Sequence, residues 1–459
     1  GAENYALFRR IKKTFDPQGI FNPGKIVNPF PMDENLRTST AVKAEISTLM
    51  DFSADQGLLR AVEKCNGAGQ CRSVLPSGTL CPSYRATRDE KHNTRGRANV
   101  LREVLLSNTA VNAFDDAALK EVFDLCLSCK ACATECPSSV DIASYKAEFL
   151  YQYQKTHGSS LRNKLFAYNG KINEKVYPFR GVQNLLLRQS FFGKLFKKAL
   201  GIAPKRAFPV LEKPLHKSIK INAINTNNKS VYLYLDEFTN YQETHLGKTA
   251  IALLEGLGYH VNILPPTESG RTYISKGFLE QAKKCADRNV ALYGDLISEK
   301  HPLLGIEPSA IYTFSDEYPK LTSEVEKAKK LAANCFPIET FLAAALKKGN
   351  LKADQFHEAT KTIKIHAHCY QKALGNPADT FALLNLPVNY KVSLLNTGCC
   401  GMAGSFGYEA EHYEVSMKVG EERLFPAVRK ADANDVIAAN GTSCRHQIKD
   451  GTGRIAKHP

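Results

Sequence analysis

One short run constrains this chain more than any other feature: Cys126-x2-Cys129-x2-Cys132-x3-Cys136-Pro137. A cubane iron–sulfur cluster needs thiolates at its iron corners. Two-residue spacing lets one loop wrap three corners while its backbone N–H groups point at the sulfides. The fourth cysteine, followed by proline, leaves the loop and reaches a neighbouring cluster. A zinc site needs only two close pairs. The spacing therefore predicts a [4Fe-4S] cluster and requires a second cysteine motif beside it.

That motif lies upstream, as Cys65-x5-Cys71-x9-Cys81-Pro82, with Ala68 where a middle cysteine would stand. Exchange of the fourth ligands assigns Cys126, Cys129, Cys132 and Cys81 to cluster one. Cluster two receives Cys65, Cys71 and Cys136. Alanine has no donor atom, so three thiolates predict a [3Fe-4S] or a labile [4Fe-4S] cluster. The bland alternative makes Cys65 and Cys71 buried thiols.

A third constellation comprises Cys369, Cys399, Cys400 and Cys444. Adjacent cysteines bind one metal group only where the backbone turns sharply, which Gly398 and Gly401 permit. The four thiolates suit a third iron–sulfur cluster or a tetrahedral zinc ion. His366, His368, His412 and His446 lie nearby and read as ordinary hydrogen-bonding residues. Cys285 and Cys335 read as buried small hydrophobes on helices. Arg95 and Arg97 suit either neutralisation of anionic clusters or a helix-start salt bridge.

The 13 cysteines are mostly clustered, and the N-terminus shows no secretory signal. Metal binding in a reducing compartment follows, with a cytoplasmic location and peripheral contact with the inner face of the membrane as a variant of it. No run of 18 apolar residues occurs, so no membrane span is expected. The net charge is +15. In 191–208, Lys194, Lys197, Lys198, Lys205 and Arg206 interleave with Phe191, Phe192, Leu195, Phe196 and Leu200. That stretch reads as a helix with an apolar side toward the core and a solvated basic side. The competing reading is a basic amphipathic helix on a membrane surface.

Residues 1–36, with turn signals at Asp16-Pro17-Gln18-Gly19 and Asn22-Pro23-Gly24, look like the tail of another domain. Residues 37–155 show helical periodicity at 41–49, 57–63, 95–106 and 116–125, with cysteine-rich loops. Residues 156–229 form a basic helical linker or cover. From 230 the texture is α/β. Strands are expected at 230–235, 259–264, 363–366, 391–395 and 435–438, with a helix over 246–258. An internal repeat relates 230–345 to 346–459. Thr267-Glu268-Ser269-Gly270-Arg271 and Glu307-Pro308-Ser309-Ala310 in the first half correspond to Gly398-Cys399-Cys400-Gly401-Met402 and Gly441-Thr442-Ser443-Cys444 in the second.

These residues resemble the C-terminal, iron–sulfur half of the large FAD-linked D-2-hydroxyacid dehydrogenases, of the D-lactate and D-2-hydroxyglutarate type. Phe15-Asp16-Pro17 with Asn22-Pro23-Gly24-Lys25-Ile26 resembles the end of an FAD-linked oxidase domain. Cys81-Pro82-Ser83-Tyr84-Arg85-Ala86-Thr87 with Arg95-Gly96-Arg97-Ala98 resembles a helical ferredoxin domain. Gly398-Cys399-Cys400-Gly401 with Ser443-Cys444-Arg445 resembles a cysteine-rich CCG domain. The resemblance implies a multidomain α+β chain: an α-helical ferredoxin-like two-cluster domain followed by an α/β CCG domain with a pseudo-repeat. The Cys65-x5-Cys71 spacing is also similar to the three-iron site of succinate dehydrogenase iron–sulfur subunits.

Two departures matter. The FAD domain is absent apart from its tail, so the flavin and the substrate base lie elsewhere. The first half of the repeat lacks cysteines at the motif positions and is expected to be cluster-free, and Gln447 stands where some CCG domains carry a further cysteine. The resemblance implies a relay from FAD through the clusters to a quinone or a protein acceptor. The FAD-linked oxidase domain would be a partner in the same gene product or another chain. The rival is a redox subunit of the heterodisulfide-reductase or lactate-utilisation kind, acting at the CCG site. The ferredoxin spacing and the missing aromatic-basic repeat argue against a zinc-stabilised nucleic-acid binder.

Overall fold

The computed structural model describes residues 1–35, 46–107, 112–187, 190–220, 224–225 and 229–459. It divides into two compact units, Gly1–Glu45 and Ile46–Pro459. The first holds a helix, Ala2–Phe15, none of whose side chains is buried. Asp16 ends it, accepting the backbone N–H groups of Ile20 and Phe21 and pairing with Lys12 at 2.5 Å.

The second unit begins with helices Leu58–Glu63, Pro82–Thr87, Thr94–Ser107, Ala117–Asp124 and Ile142–His157. Asp116 and Asp141 cap the last two by accepting the Leu119 and Ser144 N–H groups, the expected role of Asp at a helix start. Leu58, Ala61, Leu101, Leu119, Phe123 and Phe149 form their shared core. Of the helix expected over 41–49, residues 41–45 lie outside the described residues and 46–49 are non-helical. That stretch is instead held by a buried carboxylate, as Glu148 accepts the Leu49 and Met50 N–H groups. Helices Leu161–Ala167, Asn169–Val176, Arg180–Leu186 and Phe191–Ala199 follow.

Residues 230–459 build two parallel sheets. The first has strands β1 (Ser230–Leu233), β2 (His260–Asn262), β3 (Leu303–Gly305) and β4 (Cys335–Pro337), in the order β2-β1-β3-β4. The second has β5 (Lys361–His366), β6 (Tyr390–Leu394) and β7 (Val436–Ala439), in the order β6-β5-β7. Strands β3 and β4 were not expected from the sequence. They are three residues each, too short to display a period. Cys335 correspondingly lies on β4 and not on a helix, its thiol donating to the Leu331 carbonyl.

The two sheets share the same central topology. Leu233 pairs with Leu304 as Ile365 pairs with Ala438. Superposing these pairs sets Ala310 at the place of Cys444, as the sequence correspondence has it. It also sets Glu237 at the place of Cys369. No helix among the described residues is long and apolar enough to cross a membrane.

Candidate metal centres

All 13 cysteines are free thiols. Cys126 and Cys129 lie on the loop between helix Ala117–Asp124 and the short helix Ala131–Thr134, and Cys132 lies in that short helix. Ser128 and Lys130 take positive φ there, which winds the loop tightly. Cys81 caps helix Pro82–Thr87 from across the fold. The four thiols line one small cavity together with Thr94 and Arg97. The Cys81 sulfur lies 3.2 Å from the Thr94 hydroxyl. Burial raises the Cys81 thiol, while the Arg97 guanidinium pulls it the other way. Burial also holds Cys132 well up, reinforced by Asp141, Cys81 and Cys126. A thiol-lined cavity beside one fixed cation is what a cluster of net negative charge requires, and these residues fit it.

Cys65, Cys71 and Cys136 form the second group. Burial pushes Cys71 up to about 11, with Cys81, Cys65 and Cys136 adding to the rise. Cys71 accepts the Arg95 backbone N–H at 3.4 Å. Ala68 is exposed on the loop between Cys65 and Cys71. Of the two arginines, Arg97 faces the first thiol group. The Arg95 side chain pairs with Glu90 at 2.7 Å.

The third group sits at the C-terminal ends of the second sheet, where parallel sheets usually bind ligands. Cys369 opens the helix after β5, Cys399 and Cys400 follow β6, and Cys444 opens the helix after β7. The four thiols perturb one another. Cys369 is pulled down to about 7, chiefly by the neighbouring Cys399, and Cys400 is pulled well down beside Cys399 and Cys444, while Cys399 and Cys444 are held up.

His366 closes this group from below. One of its ring nitrogens lies within 4.8 Å of the Cys400 and Cys444 sulfurs. Its Nδ1 is bonded to Thr397 at 2.6 Å, and Cys400 is the side chain that most offsets the downward pull of burial on the ring. By contrast His368 caps the helix beginning at Cys369, and His412 is bonded on both nitrogens. Gly401 has φ +90°, and a Cβ there would lie 2.2 Å from the Ser416 carbonyl oxygen, so the turn that follows the paired cysteines needs glycine. Lys372 donates to the Thr397 and Gly398 carbonyls, placing a half-buried cation beside the thiols.

The groups are contiguous. Cys71 feels Cys81, which joins the second group to the first. After burial, Cys369 is the largest influence raising Cys129, which joins the first group to the third. A larger, mostly apolar cavity opens at the third group. Its walls include Phe166, Phe208, Phe238, Arg271, Tyr370 and His446, beside Cys369, Cys399 and Cys400.

Sequence reasoning missed the charges around these loops. Lys130 lies between two cysteines of the first group and is fully buried. Its ammonium meets Asp316 at 2.5 Å, Glu317 at 3.3 Å and Asp141 at 3.5 Å. Nothing in local spacing marks it, because its partners lie on distant segments. The place of Cys369 in the first sheet was also missed. Glu237 occupies it, accepting the Ser269 N–H at 3.0 Å and hydroxyl at 2.8 Å. Gln447 bonds Arg206 at 2.6 Å and the Ser416 carbonyl at 3.0 Å.

Residues 61–140 match the 4Fe-4S dicluster domain family, and residues 1–26 match the C-terminal domain of FAD linked oxidases. The chain is 26% identical to D-2-hydroxyglutarate dehydrogenase of Escherichia coli strain K12, across all of this chain and 49% of the relative. It is 28% identical to D-2-hydroxyglutarate dehydrogenase of Pseudomonas putida, across all of this chain and 48% of the relative. It is 25% identical to one subunit of the anaerobic glycerol-3-phosphate dehydrogenase of E. coli K12, across 70% of this chain and 81% of that protein. The chain thus spans about half the length of the D-2-hydroxyglutarate dehydrogenases it matches. No solved structure matches it. These matches group the chain with the iron–sulfur halves of FAD-linked dehydrogenases.

Proposed function

We propose that the chain is the electron-relay half of a flavin-dependent D-2-hydroxyacid dehydrogenase, of the D-2-hydroxyglutarate or D-lactate type, delivering electrons from FAD to a quinone or protein acceptor. The observation that carries this reading is the order of the thiol groups. Cys65, Cys71 and Cys136 lie next to Cys81, Cys126, Cys129 and Cys132, which lie next to Cys369, Cys399, Cys400 and Cys444. A chain of adjacent redox sites is what one-electron transfer over a protein's width requires.

Bound iron–sulfur clusters would supply single-electron capacity at potentials set by burial and hydrogen bonds to sulfur. The protein's own part is to hold and tune. Cys81, Cys126, Cys129 and Cys132 would hold a [4Fe-4S] cluster, with Arg97 offsetting its charge. Cys65, Cys71 and Cys136 would hold a [3Fe-4S] or labile [4Fe-4S] cluster. The third group would take a cluster, or zinc, with Lys372 and His366 beside it. The cavity at Cys369 and Cys399 is the place where an acceptor can approach. The match of residues 1–26 supports an FAD-linked oxidase domain as the electron source.

The test is anaerobic purification followed by iron, sulfide and zinc assays, and EPR as isolated and after dithionite. Iron and sulfide in a ratio near one, an oxidised three-iron signal and a reduced four-iron signal are expected. Zinc in place of iron, with no paramagnetic species after reconstitution, overturns the relay.

A further inference from the structure

The helix Phe191–Ala199 has its polarity turned outward. Phe191 and Phe192 are each 77% exposed and Leu195 is 58% exposed, whereas Lys197 is 0% exposed. The inward-facing residues are Gly193 and Lys197. Lys197 donates to the Arg206 carbonyl at 2.8 Å and lies over the Phe208 ring. At about 100° per residue, Phe191, Phe192, Leu195 and Phe196 share one outer face, with Lys194 and Lys198 along its border. The core-facing apolar side expected from the sequence is therefore absent. The apolar side is the exposed one.

On and just before the preceding helix, Arg180–Leu186, the apolar side chains Phe179, Val182 and Leu185 are exposed as well. Helix Phe191–Ala199 is fixed to the body of the unit through Lys197 and Arg206, the latter buried and bonded to Gly407, Gln447, Asp450 and Ser416. Helix Arg180–Leu186 is held through Asn184, which bonds the Leu211 backbone twice. An exposed apolar face on anchored helices marks a contact surface.

Charge selects the occupant. Between Glu174 and Glu212 the sequence contains no Asp or Glu. Lys175, Arg180, Lys194 and Lys198 are exposed in that stretch and have no carboxylate partner among the described residues. A second copy of so basic a face would repel it. We infer that the helices Arg180–Leu186 and Phe191–Ala199 dock on an anionic lipid surface, with Phe191, Phe192 and Leu195 entering the headgroup boundary and the flanking lysines pairing with lipid phosphates. This inference is independent of what the thiol groups hold. Phe208, packed beneath Lys197, and Phe166 wall the cavity at the third thiol group.

The test is co-sedimentation of the purified protein with phosphatidylglycerol–phosphatidylethanolamine vesicles and with pure phosphatidylcholine vesicles, at low and high salt. Binding to the anionic vesicles, weakened by salt, is expected. In Lys194→Gln and Lys198→Gln, each lost cation should lower partitioning about fivefold. The double variant Phe191→Ser with Leu195→Ser should lose binding while keeping its metal content and thermal midpoint, because both side chains are outside the core. Equal binding to both vesicle types, or wild-type binding by the serine variant, overturns the inference. So does concentration-dependent dimerisation that the serine variant abolishes, with no vesicle binding by the wild type. Metal content is read in the same samples, so failure here and failure of the relay reading are told apart.

Discussion

On the proposed assignment, Ala68 leaves the second thiol group one sulfur short of four. It is exposed on a loop whose flanking glycines, Gly67 and Gly69, both take positive φ. A longer side chain is tolerated there, because the alanine is not packed against the core. Ala68→Cys should therefore add about one iron per chain after anaerobic reconstitution and replace the oxidised three-iron EPR signal with a reduced four-iron one. An unchanged spectrum would mean that position 68 does not face the metal. Gly401 argues in the opposite direction. Its left-handed φ and the 2.2 Å approach to Ser416 leave no room for a methyl. Gly401→Ala should cost about 1–3 kcal/mol and deplete metal from the third group alone, as read by urea unfolding and iron per chain. Residues of this kind were readable from sequence because their constraint is local: a spacing, a glycine, an absent sulfur. Lys130 and Glu237 were not, because the Asp316 and Glu317 partners of Lys130 and the Ser269 partner of Glu237 lie more than 30 residues away.

Between elements, a polar chain of Asp124, His412, Glu409 and Lys276 is one of the links between the helical part and the sheets, beside the Arg85–Glu422 pair. His412 bridges Asp124 at 2.8 Å and Glu409 at 2.7 Å, and Lys276 pairs with Glu409. Burial works against the charged form of Glu409. The hydrogen bond to His412 and the charge of Lys276 prevail, holding it at about 2. A fall from 4.5 to about 2 corresponds to roughly 3 kcal/mol. The folded value is the lower one, so this stability is present above pH 4.5 and is lost as pH falls toward 2. His412 is raised despite its burial, through Asp124 and Glu409. Its contribution is full below 6.5 and fades as pH climbs through its folded value. Glu409→Gln should therefore flatten the acid limb of the stability–pH curve by about the stated amount. Equal acid limbs in both proteins would show that the contact is idle. Lys130→Met removes the cation facing Asp316, Glu317 and Asp141 and should cost about 3–5 kcal/mol in denaturant unfolding. Element types were readable wherever apolar periodicity ran long enough, as in Thr94–Ser107 and Thr244–Gly256. The three-residue strands β3 and β4 were not, yet β3 carries the register that equates Ala310 with Cys444.

Across the whole of the larger unit, each thiol group draws on segments that are remote in sequence. The first takes Cys81 from one helix start and three cysteines from a loop some 45 residues later. The third is assembled from the ends of three strands. A metal group at either place acts as a cross-link that exists only in the folded state, so its binding free energy becomes folding free energy. The apoprotein must instead pack these sulfurs as buried thiols crowded against one another, which raises Cys71, Cys129 and Cys132. Anaerobic reconstitution with iron and sulfide should therefore raise the thermal midpoint on the order of 10 °C, given about 1 °C per kcal/mol for a unit of this size and metal-binding free energies of roughly 10 kcal/mol. Cys444→Ser should remove only the share belonging to the third group, since Cys400 keeps its other neighbours. A midpoint that does not move on reconstitution would make the cysteines packing residues. The relay would then have no foundation, however well their spacing matches a cluster loop.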